Sequence, residues 1–180
     1  MNILLLILLA VIVTFAYAGL RGAPWVPTRG HDVGRFLKLA DIKPGQKVYD
    51  LGCGDGRMVC AAANAGAQAQ GFEISLFPYV LAKLRASVAR HCVAQCLATG
   101  IISGSCKISF RDFWNVDLSD ADILYFFLMQ KCYPKLKEKL ERELKPGTKV
   151  IAYVWPIQGW NPVSVDTAKG YPPMYLYKII

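Results

Sequence analysis

The chain has 180 residues, 54% of them hydrophobic, with 21 basic and 13 acidic side chains and a formal net charge of +8. Once an apolar N-terminal run is set aside, roughly 160 residues remain, enough for one well-buried core and too few for two. The positive surplus is scattered or interleaved with acids, as in the run 135–143, which reads as a solvated helix face with i,i+4 pairs rather than a nucleic-acid surface.

In chain order, Ile3 to Leu20 is an uncharged run of 18 residues dominated by Leu, Ile, Val and Ala. As a helix rising 1.5 Å per residue it is near the lower limit for crossing a hydrocarbon core of ~30 Å. A cleaved signal peptide is the competing reading, since Ala16-Tyr17-Ala18 resembles a small-x-small cleavage site, and a buried core helix is a third. No basic residue precedes the run, whereas Arg21, Arg29, Arg35 and Lys38 follow it. That asymmetry predicts an uncleaved single-pass anchor with the rest of the chain on the cytoplasmic or matrix-like side. Anionic headgroups beneath such an anchor are a natural counterpart for the surplus charge.

Arg21 to Arg29, with prolines at 24 and 27, reads as an irregular lead-in. Asp32 to Ala40 reads as a short helix capped by Asp32, with Val33, Phe36, Leu37 and Ala40 on one face. A Lys43-Pro44-Gly45-Gln46 turn then feeds a strand over 47–50, a helix over 56–65, a strand over 67–73 and a helix over 78–98. Gly100 and Gly104 bound a connection to a strand at 106–110. Residues 121–129 form a continuous apolar run of the kind a parallel sheet buries on both faces. A helix over 133–144 ends at Pro146-Gly147, a strand follows over 149–155, and residues 163–180 suffice for an antiparallel hairpin. The expected organisation is an anchor (1–20), a pre-domain segment (21–45) and an α/β domain (46–180).

The six cysteines, at 53, 60, 92, 96, 106 and 132, include no C-x-x-C pair, which disfavours a zinc ribbon or a thioredoxin-like site and suits structural thiols in a reducing compartment. His91, Cys92 and Cys96 offer one helical face without a partner cluster, so no metal site is expected.

The most specific segment is Val48-Tyr49-Asp50-Leu51-Gly52-Cys53-Gly54-Asp55-Gly56, an apolar strand entering a glycine turn that opens a helix. Open α/β sheets hold nucleoside-bearing cofactors at such turns, where glycine lets the backbone approach the ligand and adopt positive φ. The pattern is Asp-x-Gly-x-Gly-x-Gly and not the G-x-G-x-x-G of dinucleotide sites. Asp55 would put a negative charge where a pyrophosphate should sit, so the loop suits a cofactor bearing a cationic amine and sulfonium, S-adenosyl-L-methionine. Glu73, at the end of the second strand and about 20 residues on, suits the two ribose hydroxyls.

Asp50-Leu51-Gly52-Cys53-Gly54-Asp55-Gly56 resembles motif I of the class I, or seven-strand, methyltransferases. The resemblance implies a Rossmann-like α/β fold, a mostly parallel seven-strand sheet closed by a C-terminal antiparallel hairpin. Pro24-Trp25-Val26-Pro27-Thr28, Gly71-Phe72-Glu73, Lys139-Leu140-Glu141-Arg142-Glu143-Leu144, Trp155-Pro156 and Trp160-Asn161-Pro162 extend it toward a group of membrane-anchored enzymes. The eukaryotic members are mitochondrial protein-lysine methyltransferases acting on the adenine nucleotide carrier and the ATP synthase c-subunit. The resemblance implies cofactor contacts from Asp50, Gly52, Cys53, Gly54, Asp55 and Gly56 of motif I and from Glu73. It implies further contacts from Thr28, from Asp112 toward the adenine, and from Phe113. Tyr153-Val154-Trp155-Pro156 and Phe127-Leu128-Met129-Gln130 depart from the family pattern, and the second of these lines the acceptor pocket in class I enzymes.

The implied acceptor is a lysine of a protein, membrane-embedded or not, with no nucleic-acid partner and an undetermined oligomeric state. Trp114, Tyr125, Phe127 and Trp155 are candidate walls of its pocket, with Trp25 and Trp160 as further aromatics, although such residues also serve cores and membrane interfaces. No residue is singled out as a general base. Methylation of a lipid or lipophilic small molecule, and a catalytically silent cofactor-binding module, are the alternatives.

Overall fold

The computed structural model describes residues 2–97 and 104–180, and side chains outside 89–103. Its helices are α1 (Ile3–Arg21), α2 (Gly30–Ala40), α3 (Arg57–Asn64), α4 (Leu76–Leu97) and α5 (Tyr133–Glu143). Its strands are β1 (Lys47–Leu51), β2 (Gln68–Glu73), β3 (Ser105–Phe110), β4 (Ile123–Phe126), β5 (Lys149–Tyr153), β6 (Ser164–Asp166) and β7 (Met174–Lys178). They form one seven-stranded sheet in the order β3-β2-β1-β4-β5-β7-β6. Pairing is parallel from β3 through β5, and the β6–β7 hairpin adds antiparallel to β5.

The central strands are apolar on both sides, and their two-residue period sorts them into two cores. Val48, Ile123, Tyr125, Ile151 and Tyr153 face Phe36 and Ala40 of α2, Met58, Val59 and Ala62 of α3, and Ala82 and Ala86 of α4. Tyr49, Leu51, Leu124, Phe126, Val150 and Ala152 face Leu136 and Leu140 of α5. The strand order reverses direction between β1 and β4, which leaves a crevice at their C-terminal ends, the place where open α/β sheets bind ligands.

Several boundaries differ from the sequence expectation, each for a local reason. The helix expected at 78–98 begins at Leu76, since Pro78 falls in its first turn where a missing N–H costs nothing; Ala98 and Gly100 lie outside the described residues. The strand expected over 121–129 pairs only at Ile123–Phe126, and residues 127–129 turn off the sheet to wall the crevice. The strand expected to reach 155 stops at Tyr153, because Val154 has φ 77°.

Asp32 does not cap α2: Arg29 occupies that position, and Asp32 is fully buried inside the fold. Its carboxylate pairs with Arg35 at 2.8 Å and accepts the Tyr153 hydroxyl at 2.7 Å. The Arg35 guanidinium, also buried, reaches on to Asp166 at 2.5 Å and donates to the Pro172 carbonyl at 2.9 Å. This bracket fastens α2 to the C-terminal hairpin.

α1 meets the domain along one face only. Val11, Thr14, Gly19 and Arg21 are half-buried and Ala18 is buried, while residues 3–10 are exposed throughout. The Leu76 N–H donates to Thr14 Oγ1 at 3.1 Å, so α1 rests against the start of α4. Its last turn is fastened more firmly. Arg21 pairs with Asp112 at 2.8 Å, Trp114 Nε1 donates to the Arg21 carbonyl at 2.8 Å, and the Met129 N–H donates to the Gly22 carbonyl.

Candidate active site

A cavity of about 290 Å³ opens at the C-terminal ends of β1 and β4. Its lining comes from motif I, the end of β2, Tyr125, Phe127, Leu128, Met129, Val154 and Trp155, and also from α1 and the lead-in, including Ala18, Gly22, Trp25 and Thr28. The lead-in is therefore part of the site and not a tether.

Motif I owes its shape to positive-φ backbone that glycine adopts at little cost. Gly52 has φ +82° and Gly54 has φ +53°. A Cβ on Gly54 would come within 2.7 Å of the Trp25 indole, whereas one on Gly52 would meet only Leu128 at an ordinary 3.5 Å. Gly52 is thus required for its backbone, and Gly54 for its backbone and for the space beside Trp25. The Gly54 N–H donates to Glu73 Oε2 at 2.8 Å, and the N–H groups of Ile74 and Ser75 donate to Oε1 at 2.9 and 2.7 Å. Glu73 therefore ties the glycine turn to the end of β2.

Three carboxylates crowd this end of the sheet. Burial pushes the Asp50 carboxyl well above the usual carboxylate range, and the neighbouring Glu73 and Asp55 add to the rise. Burial also raises Glu73, and its three backbone donors only partly offset this. For Asp55 burial acts in the same direction, but Arg57 at 2.5 Å and Arg85 at 3.0 Å outweigh it and hold the carboxyl low. Among the described residues, neither Asp50 nor Glu73 has an ion-pair partner. Two hydroxyls on the cavity wall, Ser75 Oγ and Tyr125 Oη, are buried without a hydrogen bond of good geometry, although Glu73 and Thr28 lie beside them.

The expected site residues fall into two sets. Thr28, Asp50, Gly52, Cys53, Gly54, Asp55, Glu73 and Phe113 line the cavity, as do Tyr125, Phe127, Trp155 and Trp25. Gly56, Asp112, Trp114 and Trp160 do not. Gly56 instead admits α4, since a Cβ there would approach Ala82 Cβ at 3.0 Å. Asp112 is engaged by Arg21 and by the Trp114 N–H, so its neighbours Arg111 and Phe113, and not its own carboxylate, face the cavity. Trp114 packs on Phe113 at 4.8 Å, and Trp160 donates to Glu141. Asp55, expected to offer its charge to the cofactor, is committed to Arg57 and Arg85, and the carboxyls without an ion-pair partner among the described residues are Asp50 and Glu73.

Sequence reading missed Ser75, Arg57 and Val154. Ser75 has only its position after Glu73 as a signal. Arg57 links Asp55 to the Thr28 carbonyl across a separation that local patterns do not reveal. Val154 is β-branched yet lies in the left-handed region, a genuine outlier held by its N–H donating to the Pro173 carbonyl at 2.9 Å. Strain of this kind, about 1–3 kcal/mol, clusters at functional sites, and here it places Trp155 on the cavity wall.

The fold and the crevice together define a class I methyltransferase. An RNA methyltransferase from Salinibacter ruber, solved with S-adenosyl-L-homocysteine, superposes with a TM-score of 0.73 at 30% identity, covering 86% of this chain and 94% of that one. The chain belongs to the family of the ANTKMT methyltransferase domain, whose model matches residues 50–164. A protein-lysine N-methyltransferase of Saccharolobus islandicus (strain REY15A) is 35% identical over 159 residues, covering 87% of this chain and 93% of the relative. The adenine nucleotide translocase lysine N-methyltransferase of Mus musculus is 31% identical over 87% of this chain, which spans 63% of that protein's length.

Proposed function

We propose that this protein transfers a methyl group from S-adenosyl-L-methionine to a lysine side chain of a protein, working at a membrane to which residues 1–20 anchor it. Residues 21–45 and 46–180 together build the site in this reading. The observation that carries the cofactor assignment is the acidic couple without ion-pair partners, Asp50 and Glu73, in a cavity with a glycine cradle and the Ser75 and Tyr125 hydroxyls on its wall. A cationic ligand with several hydroxyls fits that set, whereas an anionic pyrophosphate does not.

When bound, the cofactor supplies an electrophilic methyl on a cationic sulfur. The chain's own contribution is alignment and desolvation. Gly52 and Gly54 bring backbone against the ligand, Glu73 holds their turn, and Asp50 offers a buried carboxyl whose charged form a cationic ligand would favour. Tyr125, Phe127 and Trp155 line one side of the cavity with aromatic surface. An amine entering there loses hydration, which lowers its pKa from an ordinary ~10.4 toward the neutral form that attacks. The family relationship supports lysine as the acceptor, and the apolar, mostly exposed α1 supports the membrane.

The test is to incubate the protein and native membranes with radiolabelled S-adenosyl-L-methionine and to separate protein, lipid and RNA. Label in a protein band, recovered as methyl-lysine after hydrolysis, is the expected result. Label confined to the lipid extract or to RNA would overturn the acceptor assignment while leaving the cofactor in place. Glu73→Ala should weaken cofactor binding by roughly 1.5–3 kcal/mol, the range for hydrogen bonds to charged groups, or about ten- to a hundredfold in Kd. Titration calorimetry with unchanged affinity in the folded variant would count against the site.

A further inference from the structure

We propose that the outward face of α4 is a bilayer-contact surface, lying in the interfacial layer of the membrane that α1 enters. The inference rests on α1 being membrane-embedded and goes beyond it by assigning part of the catalytic domain to the lipid. Phe77, Val80, Leu84 and Val88 recur at three- and four-residue spacing, so they share one helical face. They are 49%, 46%, 61% and 68% exposed, a stripe of large apolar side chains that a water-facing helix does not ordinarily display.

Continuity with α1 identifies what covers it. The first N–H of α4 is bonded to Thr14 of α1, and Trp25 sets its ring edge-on to Phe77 at 5.8 Å. Tyr17 and Leu20 of α1 and Val26 of the lead-in are further exposed apolar side chains on the two segments that join the stripe to the anchor. Tyr17 carries the Arg21 guanidinium over its ring, a pairing suited to the headgroup layer.

Length gives an independent argument. Only residues 3–10 of α1 project free of the domain, about 12 Å of helix at 1.5 Å per residue. A hydrocarbon core is ~30 Å thick. Residues 11–21, which run along the domain, must therefore enter the bilayer as well if α1 is to reach deeply, and they bring the surface beside them to lipid depth. That surface begins with the N-terminal turns of α4. α4 is apolar on both sides, with Ala82 and Ala86 buried against the domain and the Phe77–Val88 stripe turned outward, and the exposed Lys83 beside the stripe supplies a cation of the kind that meets lipid headgroups. The cavity, lined by Ala18, Gly22 and Trp25, then opens close to the membrane surface, and the matching acceptor is a lysine held at headgroup height.

The experiment places a benzophenone amino acid at Leu84, or separately at Val80, in the full chain in phosphatidylcholine–phosphatidylglycerol vesicles with radiolabelled lipid. Leu8 serves as the membrane control and Glu138, on α5, as the water-facing control. Irradiation should attach lipid at positions 8, 80 and 84 and not at 138. Lipid at position 8 but not at 80 or 84 would overturn the α4 surface while leaving the anchor standing. No lipid at any position would remove both. A chain-to-chain adduct from 84 in place of lipid would show the stripe to be a self-association face and would equally overturn the proposal. Unchanged cofactor affinity in each labelled chain confirms that the fold survives the substitution.

Discussion

Gly54→Val is expected to abolish cofactor binding while leaving the protein folded. The residue has φ +53°, a conformation that costs a side-chain-bearing residue roughly 1–2 kcal/mol and a β-branched one more. A Cβ there would stand 2.7 Å from the Trp25 indole, so the ring must swing into the cavity or the turn must flatten. Either response is ruinous for binding. Flattening the turn breaks the Gly54 N–H bond to Glu73, and displacing Trp25 fills the space a ligand needs. Gly52→Val meets little beyond an ordinary contact with Leu128, so it should act through backbone strain alone and do somewhat less harm. Calorimetry with S-adenosyl-L-methionine, paired with a circular dichroism melt, separates these outcomes. Near-native affinity in Gly54→Val would remove the glycine turn from the binding site.

Arg35→Ala is expected to cost about 3 kcal/mol of stability, the lower end of the ~3–5 kcal/mol typical of breaking a buried ion pair. The fully buried Asp32 would lose its guanidinium partner and keep only the Tyr153 hydroxyl, whereas Asp166 is more exposed and can be solvated. For a domain of this size the Tm in detergent should fall by roughly 6–12 °C. Replacing both partners, Asp32→Asn with Arg35→Met, should recover much of the loss, because no uncompensated charge then remains. A functional effect should accompany the structural one. Arg35 holds the Pro172 carbonyl, and the adjacent Pro173 carbonyl holds the Val154 N–H that sets Trp155 against the cavity. Methyl transfer to a protein acceptor should therefore fall more than cofactor affinity does. A melt within a degree of the parent would show that the bracket carries no stability.

The residues whose chemistry is local were legible from the chain alone. Motif I announces itself because a strand, a positive-φ turn and a helix start must follow one another within a few residues, and only glycine serves the turn cheaply. The α/β alternation and the apolar helix at the N-terminus were legible on the same basis, since hydrophobic period and turn chemistry act over short stretches, whereas the C-terminal hairpin was expected from the length of the tail and the seven-strand resemblance. Tertiary structure alone decided what long-range partners do with each charge. Asp32 has the sequence position of a cap, yet burial against Tyr153 and Arg35 makes it a bracket. Asp112 lies where an adenine contact is expected, yet Arg21, 91 residues away in the chain, claims its carboxylate. Asp55 carries the right sign for a cationic cofactor, yet Arg57 and Arg85 neutralise it, and the carboxyls left without an ion-pair partner among the described residues are the buried Asp50 and Glu73. Val154 leaves no trace in propensity, because the bond from its N–H to the Pro173 carbonyl imposes its positive φ. The docking of α1 and the lead-in onto the cavity belongs to the same class. Period and composition describe a helix by itself, and only packing brings Ala18, Gly22 and Trp25 to the wall of the site.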